Sequence, residues 1–331
     1  MRSYLLLLFT GLLFMSCSKD ETCTIPEEVS RIPVEIKVDR LESRFFEIKT
    51  VPEMQTFLRQ EPLLRDKFLL RDRYPSEELM AQNLLRLATD TSIHQLKKQS
   101  DATFGDLQDV TQDLENGFKH VKYFYPSFQI PKVQTFVSGL SRDLLVSDSL
   151  VVLGLDFFIG KKASFRPQAP EYILKRYEKE NLAPSVMLLV SNKFNKTDFV
   201  NKEMLDEMID FGKSYYFTEK VLPCTPDSLI IWYTGQELAD VTYNEGKIWA
   251  HLIEKGLLYE TSQFTIRKYI GERPNVPEIS ERCPGRVATW VGWQIVRKYM
   301  ENNPQVTLQQ LMEEKDARKI LNLSRYKPQK K

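Results

Sequence analysis

Leu150-Val-Val-Leu-Gly-Leu-Asp-Phe-Phe158 is an apolar run broken only by Gly154 and Asp156, and its reading decides the fold. It is too short for an ordinary buried helix and is read as a strand. Upstream, Lys132-Val-Gln-Thr-Phe-Val137 alternates apolar and polar residues and forms a second strand, joined to the first by a turn over Arg142 to Asp148. Pro33 to Val38 alternates in the same way and supplies a third, short strand. Around these the apolar residues fall at spacings of three and four, the period of a helix with one buried face. Ser76 ahead of Glu77-Glu78 is an N-cap followed by acids in the first turn. A longer helix is expected from Asp101 to Tyr123, then Ala183 to Phe194, Lys202 to Glu219, Gln236 to Glu254 and Val287 to Tyr299. The expected fold class is α+β: a mainly helical single domain packed on a small sheet. No internal repeat and no Gly- or Ser-rich linker divides it.

The N-terminus has a different character. Arg2 precedes an apolar run from Tyr4 to Met15, which small Ser16 and then Cys17 close. This is the plan of a secretory signal, too short for a permanent span. Phe14-Met-Ser-Cys17 resembles a bacterial lipobox, which implies a signal peptide over residues 1–16 and a mature chain that begins at an acylated Cys17. Several acyl chains on one residue anchor stably, because each buried CH₂ contributes roughly 0.8 kcal/mol. Ser18-Lys-Asp-Glu21 resembles the tetrad that directs lipoproteins of Bacteroidetes-type bacteria outward to the cell surface, and reads equally as a solvated linker. Residues 17–32 are then a tether and residues 33–331 the globular body.

Net charge is +1, from 46 basic and 45 acidic residues, which argues against nucleic acid as a partner. Of the four cysteines, Cys17 is taken by lipid and Cys23 lies in the tether. Cys224 and Cys283 both sit in Pro-containing loops. In an oxidising envelope they can pair, closing a loop of about 60 residues, or stand as unrelated thiols. The expectation adopted is the Cys224–Cys283 disulfide.

Enzymatic machinery is hard to find. There is no GxSxG elbow, no P-loop, no GxGxxG after a strand and no HExxH. His94, His120 and His251 stand far apart, each alone on a helical pattern, whereas a catalytic zinc commonly takes three protein ligands. No cofactor is expected.

Arg282-Cys-Pro-Gly-Arg-Val-Ala-Thr-Trp-Val-Gly-Trp-Gln-Ile-Val-Arg-Lys-Tyr-Met-Glu-Asn-Asn303 closely resembles the sequence near the end of the gliding motility lipoprotein B (GldB) family of Bacteroidetes. Met204 to Phe217, Val221-Leu-Pro223, Gly154-Leu-Asp156 and Ser324-Arg-Tyr-Lys-Pro328 match as well, so the resemblance covers essentially the whole chain. It implies a cell-envelope lipoprotein, in the outer membrane with surface exposure as a further expectation. Its partners would be the bilayer, through Cys17, and proteins of the motility or type IX secretion machinery. The family looks like a remote relative of zincin-like peptidases. On that view Ser185 to Phe194 is the equivalent of the HExxH helix, with Val186, Leu189 and Val190 facing the core and no ligand present. The scaffold is then a peptidase that has lost its metal.

Two clusters are weighed as binding sites. Asp206 and Glu207, with Asp210, form an acidic patch that reads first as a solvated face. Arg286, after Pro284-Gly285, is either a groove wall that meets a carboxylate or the start of a buried helix. In the second case Trp290 and Trp293 lie in the core and Gly292 permits close helix packing. The reading adopted is a non-enzymatic, protein-binding lipoprotein. Its rivals are a peptide- or glycan-binding lipoprotein and a zinc peptidase with unrecognised ligands.

Overall fold

The computed structural model describes residues 23–197 and 203–328; the segment expected to be a signal peptide and Cys17 lie outside them. Its centre is a four-stranded sheet in the order β1-β2-β4-β3, with β1 Val38–Arg40, β2 Lys132–Phe136, β3 Leu144–Val146 and β4 Leu150–Gly154. β1, β2 and β4 run parallel, and β3 pairs antiparallel with β4. Val133 lies opposite Val151 and Thr135 opposite Leu153.

Alternation along β4 explains why its sequence is apolar throughout. Val151 and Leu153 face a large core made by the C-terminal helices, whereas Leu150 and Val152 face a second core formed with residues 41–88. A strand covered on both faces has no use for a polar alternate residue. The sheet is thus the shared wall of two helical layers. Phe45, Phe57, Phe68 and Phe136 fill the smaller core, with Phe45 and Phe136 edge-on at 4.8 Å.

Several boundaries differ from the sequence reading. The strand expected over Pro33 to Val38 is confined to Val38–Arg40; before it, Ile36 N–H donates to Glu115 Oε1 at 2.9 Å instead of to a neighbouring strand. The turn expected between the two central strands contains β3. The helix expected from Asp101 is two helices, Thr91–Phe104 and Gln108–Phe124, broken where Gly105 and Leu107 take positive φ. Asn244 similarly splits the stretch after Thr234 into Gly235–Tyr243 and Glu245–Glu254. Ser76 does cap its helix, accepting from Leu79 N–H.

Asp156, just past β4, organises the crossover from β2 to β3. Its buried carboxylate accepts from Ser138 N–H at 3.1 Å and Leu140 N–H at 2.6 Å, holding a loop in which Gly139 and Leu140 both have positive φ. Asp156→Ala leaves both donors buried without an acceptor and is expected to lower stability by roughly 3 kcal/mol, read as a shift of the urea midpoint. Burial pushes this carboxyl up to about 6, against the pull of the backbone donors. The folded chain therefore keeps a proton that the unfolded chain releases between about pH 4 and 6. The stability this group contributes is full below pH 4 and is lost as pH rises through 6. Urea midpoints measured across that range should show this decline in the parent and not in Asp156→Asn.

Two long helices, Met204–Val221 and Val287–Asn302, cross through two glycines. A Cβ on Gly292 would stand 1.8 Å from the Met208 carbonyl oxygen, and one on Gly212 would stand 2.4 Å from that of Gly292. The close packing expected of Gly292 is therefore present. Lys213, one residue past Gly212, is buried and donates to the carbonyl oxygens of Lys196, Met312 and Glu314. This one ammonium ties the crossing to the C-terminal helices, although burial pushes its pKa down to about 8.

Candidate functional site: a buried arginine, an acidic helix start and a tether bond

Arg286 is the first residue before the Val287–Asn302 helix, and its φ of 61° turns the chain into that helix. The guanidinium lies over the rings of Trp232 and Tyr233 at 5.2 and 5.4 Å and reaches Glu272 Oε2 at 3.4 Å. Arg176 pairs with the same Glu272 and stacks on the same Trp232 at 4.6 Å. Gly285 gives close approach to the backbone of Arg273, where a Cβ would meet the carbonyl oxygen at 2.4 Å, and Gly285 O accepts from Tyr233 OH at 2.7 Å. Both features proposed for a groove wall are thus spent on the chain itself. The carboxylate that Arg286 meets is Glu272, and the backbone that Gly285 admits is Arg273.

Trp290 and Trp293 are core residues, as a buried helix start requires. Trp293 Nε1–H donates to Glu219, Arg297 stacks on its ring at 4.0 Å, and Arg297 holds Asp227 through two bonds of 2.7 Å.

Asp206 and Glu207 lie in the first turn of the Met204–Val221 helix. Asp206 Oδ2 accepts from Glu203 N–H at 2.9 Å in a capping box, and Glu207 accepts from Gln263 at 3.3 Å. The patch is therefore helix-capping chemistry, with the acids placed where the helix dipole favours them. Asp210 points elsewhere, bonded to Thr197 and Asn195. Exposed rings neighbour this helix start: Tyr259, 52% exposed, lies under Arg318, which pairs with Glu203, and Phe264, next to Gln263, is 77% exposed.

The three histidines each have a separate local partner: Ala88 O for His94, Asn116 O for His120 and Tyr269 OH for His251. Among the described residues no three His, Cys, Asp or Glu side chains gather to hold a metal, and no helix is long and apolar enough to cross a membrane. In the Leu182–Ser191 helix, Val186 and Val190 are buried but Leu189 is 40% exposed, contrary to its expected core position. At about 100° per residue Leu189 stands roughly 60° from Val186, on the side opposite Val190, and so turns away from the buried face.

The disulfide also corrects the sequence reading. Cys224 pairs with Cys23, with Cα atoms 5.4 Å apart, and Cys283 is free, buried, and pushed up to about 12 by that burial. Pairing follows packing. Residues after Cys23 lie along the Gln108–Phe124 helix, where Val29 is buried and Glu28 accepts from Tyr123 OH. This path delivers Cys23 to the Pro223-Cys224 loop, so what reads as free tether from residue 23 onward is part of the body.

The family model for the gliding motility protein GldB matches residues 22–328. The chain belongs to the GldB family. No curated protein and no solved structure matches it. The zincin-like core implied by the resemblance is accordingly without support. In this GldB-family chain, the strings that carried the resemblance, Met204 to Phe217 and Arg282 to Asn303, are the two crossing helices and their entry turn. They encode the architecture of the larger core and not an exposed site.

Proposed function

We propose that this GldB-family chain is a non-enzymatic lipoprotein of the outer membrane, anchored through acylated Cys17 and acting by binding protein partners in gliding motility or type IX secretion-linked envelope work. The observation that carries this reading is the family match over residues 22–328, which begins a few residues after the lipobox-like Phe14–Cys17. The exposed Tyr259 and Phe264, flanked by Arg318 and Lys268, are of the kind that anchor protein contacts. Surface exposure through Ser18 to Glu21 extends the same proposal.

Loss of the chain should abolish surface movement or secretion by the linked machinery, and re-expression should restore it. Cys17→Ala is expected to lose fatty-acid label in metabolic labelling; label retained in the variant overturns the lipid assignment. The non-enzymatic part is tested by metal mass spectrometry on protein purified without chelators, paired with a peptidase assay. One tightly held zinc per chain, with cleavage abolished by chelation, overturns it.

A further inference from the structure

The Cys23–Cys224 bond and the exposed aromatic residues stand at opposite ends of the Met204–Val221 helix. That helix has 18 residues and is about 27 Å long. Its last residue leads through Leu222 and Pro223 to Cys224, whose bond partner Cys23 is the first described residue. At the other end Met204 N–H donates to Glu260 O at 2.9 Å, and Glu207 accepts from Gln263. Tyr259 and Phe264, each adjacent in sequence to one of these partners, are exposed there.

The bond decides how long the leash to the lipid is. With Cys17 acylated, six residues separate the lipid from Cys23, a reach of at most about 20 Å. Without the bond the first buried residue is Val29, and the twelve residues from Cys17 reach about 40 Å. Turning the body over, so that the aromatic end meets the bilayer, lifts Cys23 by the length of the helix. That lift of about 27 Å exceeds the shorter leash and falls within the longer one. The bilayer excludes the body, so the tilts that remain leave the aromatic end on average the farther of the two.

The disulfide end has the surface for such a position. No large apolar side chain of residues 23–31 or 222–230 is exposed, whereas Glu27, Glu28 and, beside Cys224, Glu180 are. This end therefore rests on polar headgroups and does not insert among acyl chains. We infer that the Cys23–Cys224 bond is an orienting strap. It makes the Pro223-Cys224 loop the face apposed to the headgroups of the anchoring bilayer, and it keeps Tyr259 and Phe264 turned away from them. The inference rests on the lipid anchor proposed above and adds the side from which a protein partner approaches.

The test uses the full mature acylated protein in nanodiscs that carry an acceptor dye on their lipid headgroups. A donor dye is placed on one introduced cysteine, Glu180→Cys beside the disulfide or Phe264→Cys at the far end. Both are made with Cys283→Ser and labelled without reductant, so that Cys23–Cys224 stays closed. Energy transfer to the bilayer is expected to be about threefold or more faster from position 180 than from position 264. Opening the bond in Cys23→Ser/Cys224→Ser should bring this ratio down toward one. Because that variant loses stability, a second one keeps the bond and doubles the leash with a Gly/Ser insertion between Cys17 and Cys23; it should lower the ratio in the same way. Equal or faster transfer from position 264 in the parent overturns the orientation. A ratio that neither longer leash lowers overturns the role of the bond. Protein that does not enter the discs at all overturns the anchor itself, and the strap falls with it.

Discussion

Gly292→Ala is expected to lower stability by on the order of 3 kcal/mol, a large share of what a domain has to lose. The added Cβ would lie 1.8 Å from Met208 O, and the obstructing atom belongs to a helix backbone. No rotamer change can clear it, so the helices must separate. Separation takes apart the contacts between them, including Tyr215 against Trp293 at 5.5 Å, and exposes backbone groups that the close crossing now covers. Gly235→Ala is the control. A Cβ there meets nothing within 4 Å, and the residue opens the Gly235–Tyr243 helix, where Ala is the better helix former. Its urea midpoint should stay within about 0.5 kcal/mol of the parent or rise slightly. Near-ultraviolet circular dichroism of the buried tryptophans provides a second reading. An unchanged midpoint and spectrum in Gly292→Ala would show that the crossing is looser than the structure has it.

The sheet and the crossing were legible for physical reasons that fail elsewhere. Lys132 to Val137 and the first half of Leu150 to Phe158 announce strands through alternation and β-branched residues, although the second run is a strand only to Gly154 and turns into a 3-10 helix over Leu155–Ile159; Trp290, Gly292 and Trp293 announce a buried helix through bulk around a small residue. Leu144–Val146 gives no such signal. It is three residues among Ser and Asp, and it is a strand only because β4 lies beside it. Arg286 carried a real signal of ion pairing, but its partner Glu272 is set by the fold, and no spacing rule marks an internal carboxylate apart from a ligand's.

Cysteine pairing was the sharpest failure, and it leads to the second large effect. Cys23→Ser is expected to lower the stability of the mature protein by about 2–5 kcal/mol, near the upper end if chain entropy dominates, because the bond closes a loop with a sequence separation of 201. Cys224→Ser should match it, since each removes the same cross-link, and the double variant should add little beyond either single one. Cys283→Ser belongs to a different class. It puts a hydroxyl where a buried thiol sits near Pro284 O at 3.9 Å, so its effect reports core polarity and is insensitive to reducing agent. Intact-mass alkylation of the denatured, unreduced mature protein decides between the pairings. With Cys17 acylated, one label is expected, and peptide mapping should place it on Cys283; reduction should then add labels at Cys23 and Cys224. A first label on Cys23 would restore the Cys224–Cys283 bond and return residues 23–32 to a free tether. The same protein should also lose its difference from Cys23→Ser when both are unfolded under reducing conditions, because the parent then lacks the bond too. Persistence of that difference after full reduction would mean that Cys23 stabilises through packing and not through the cross-link.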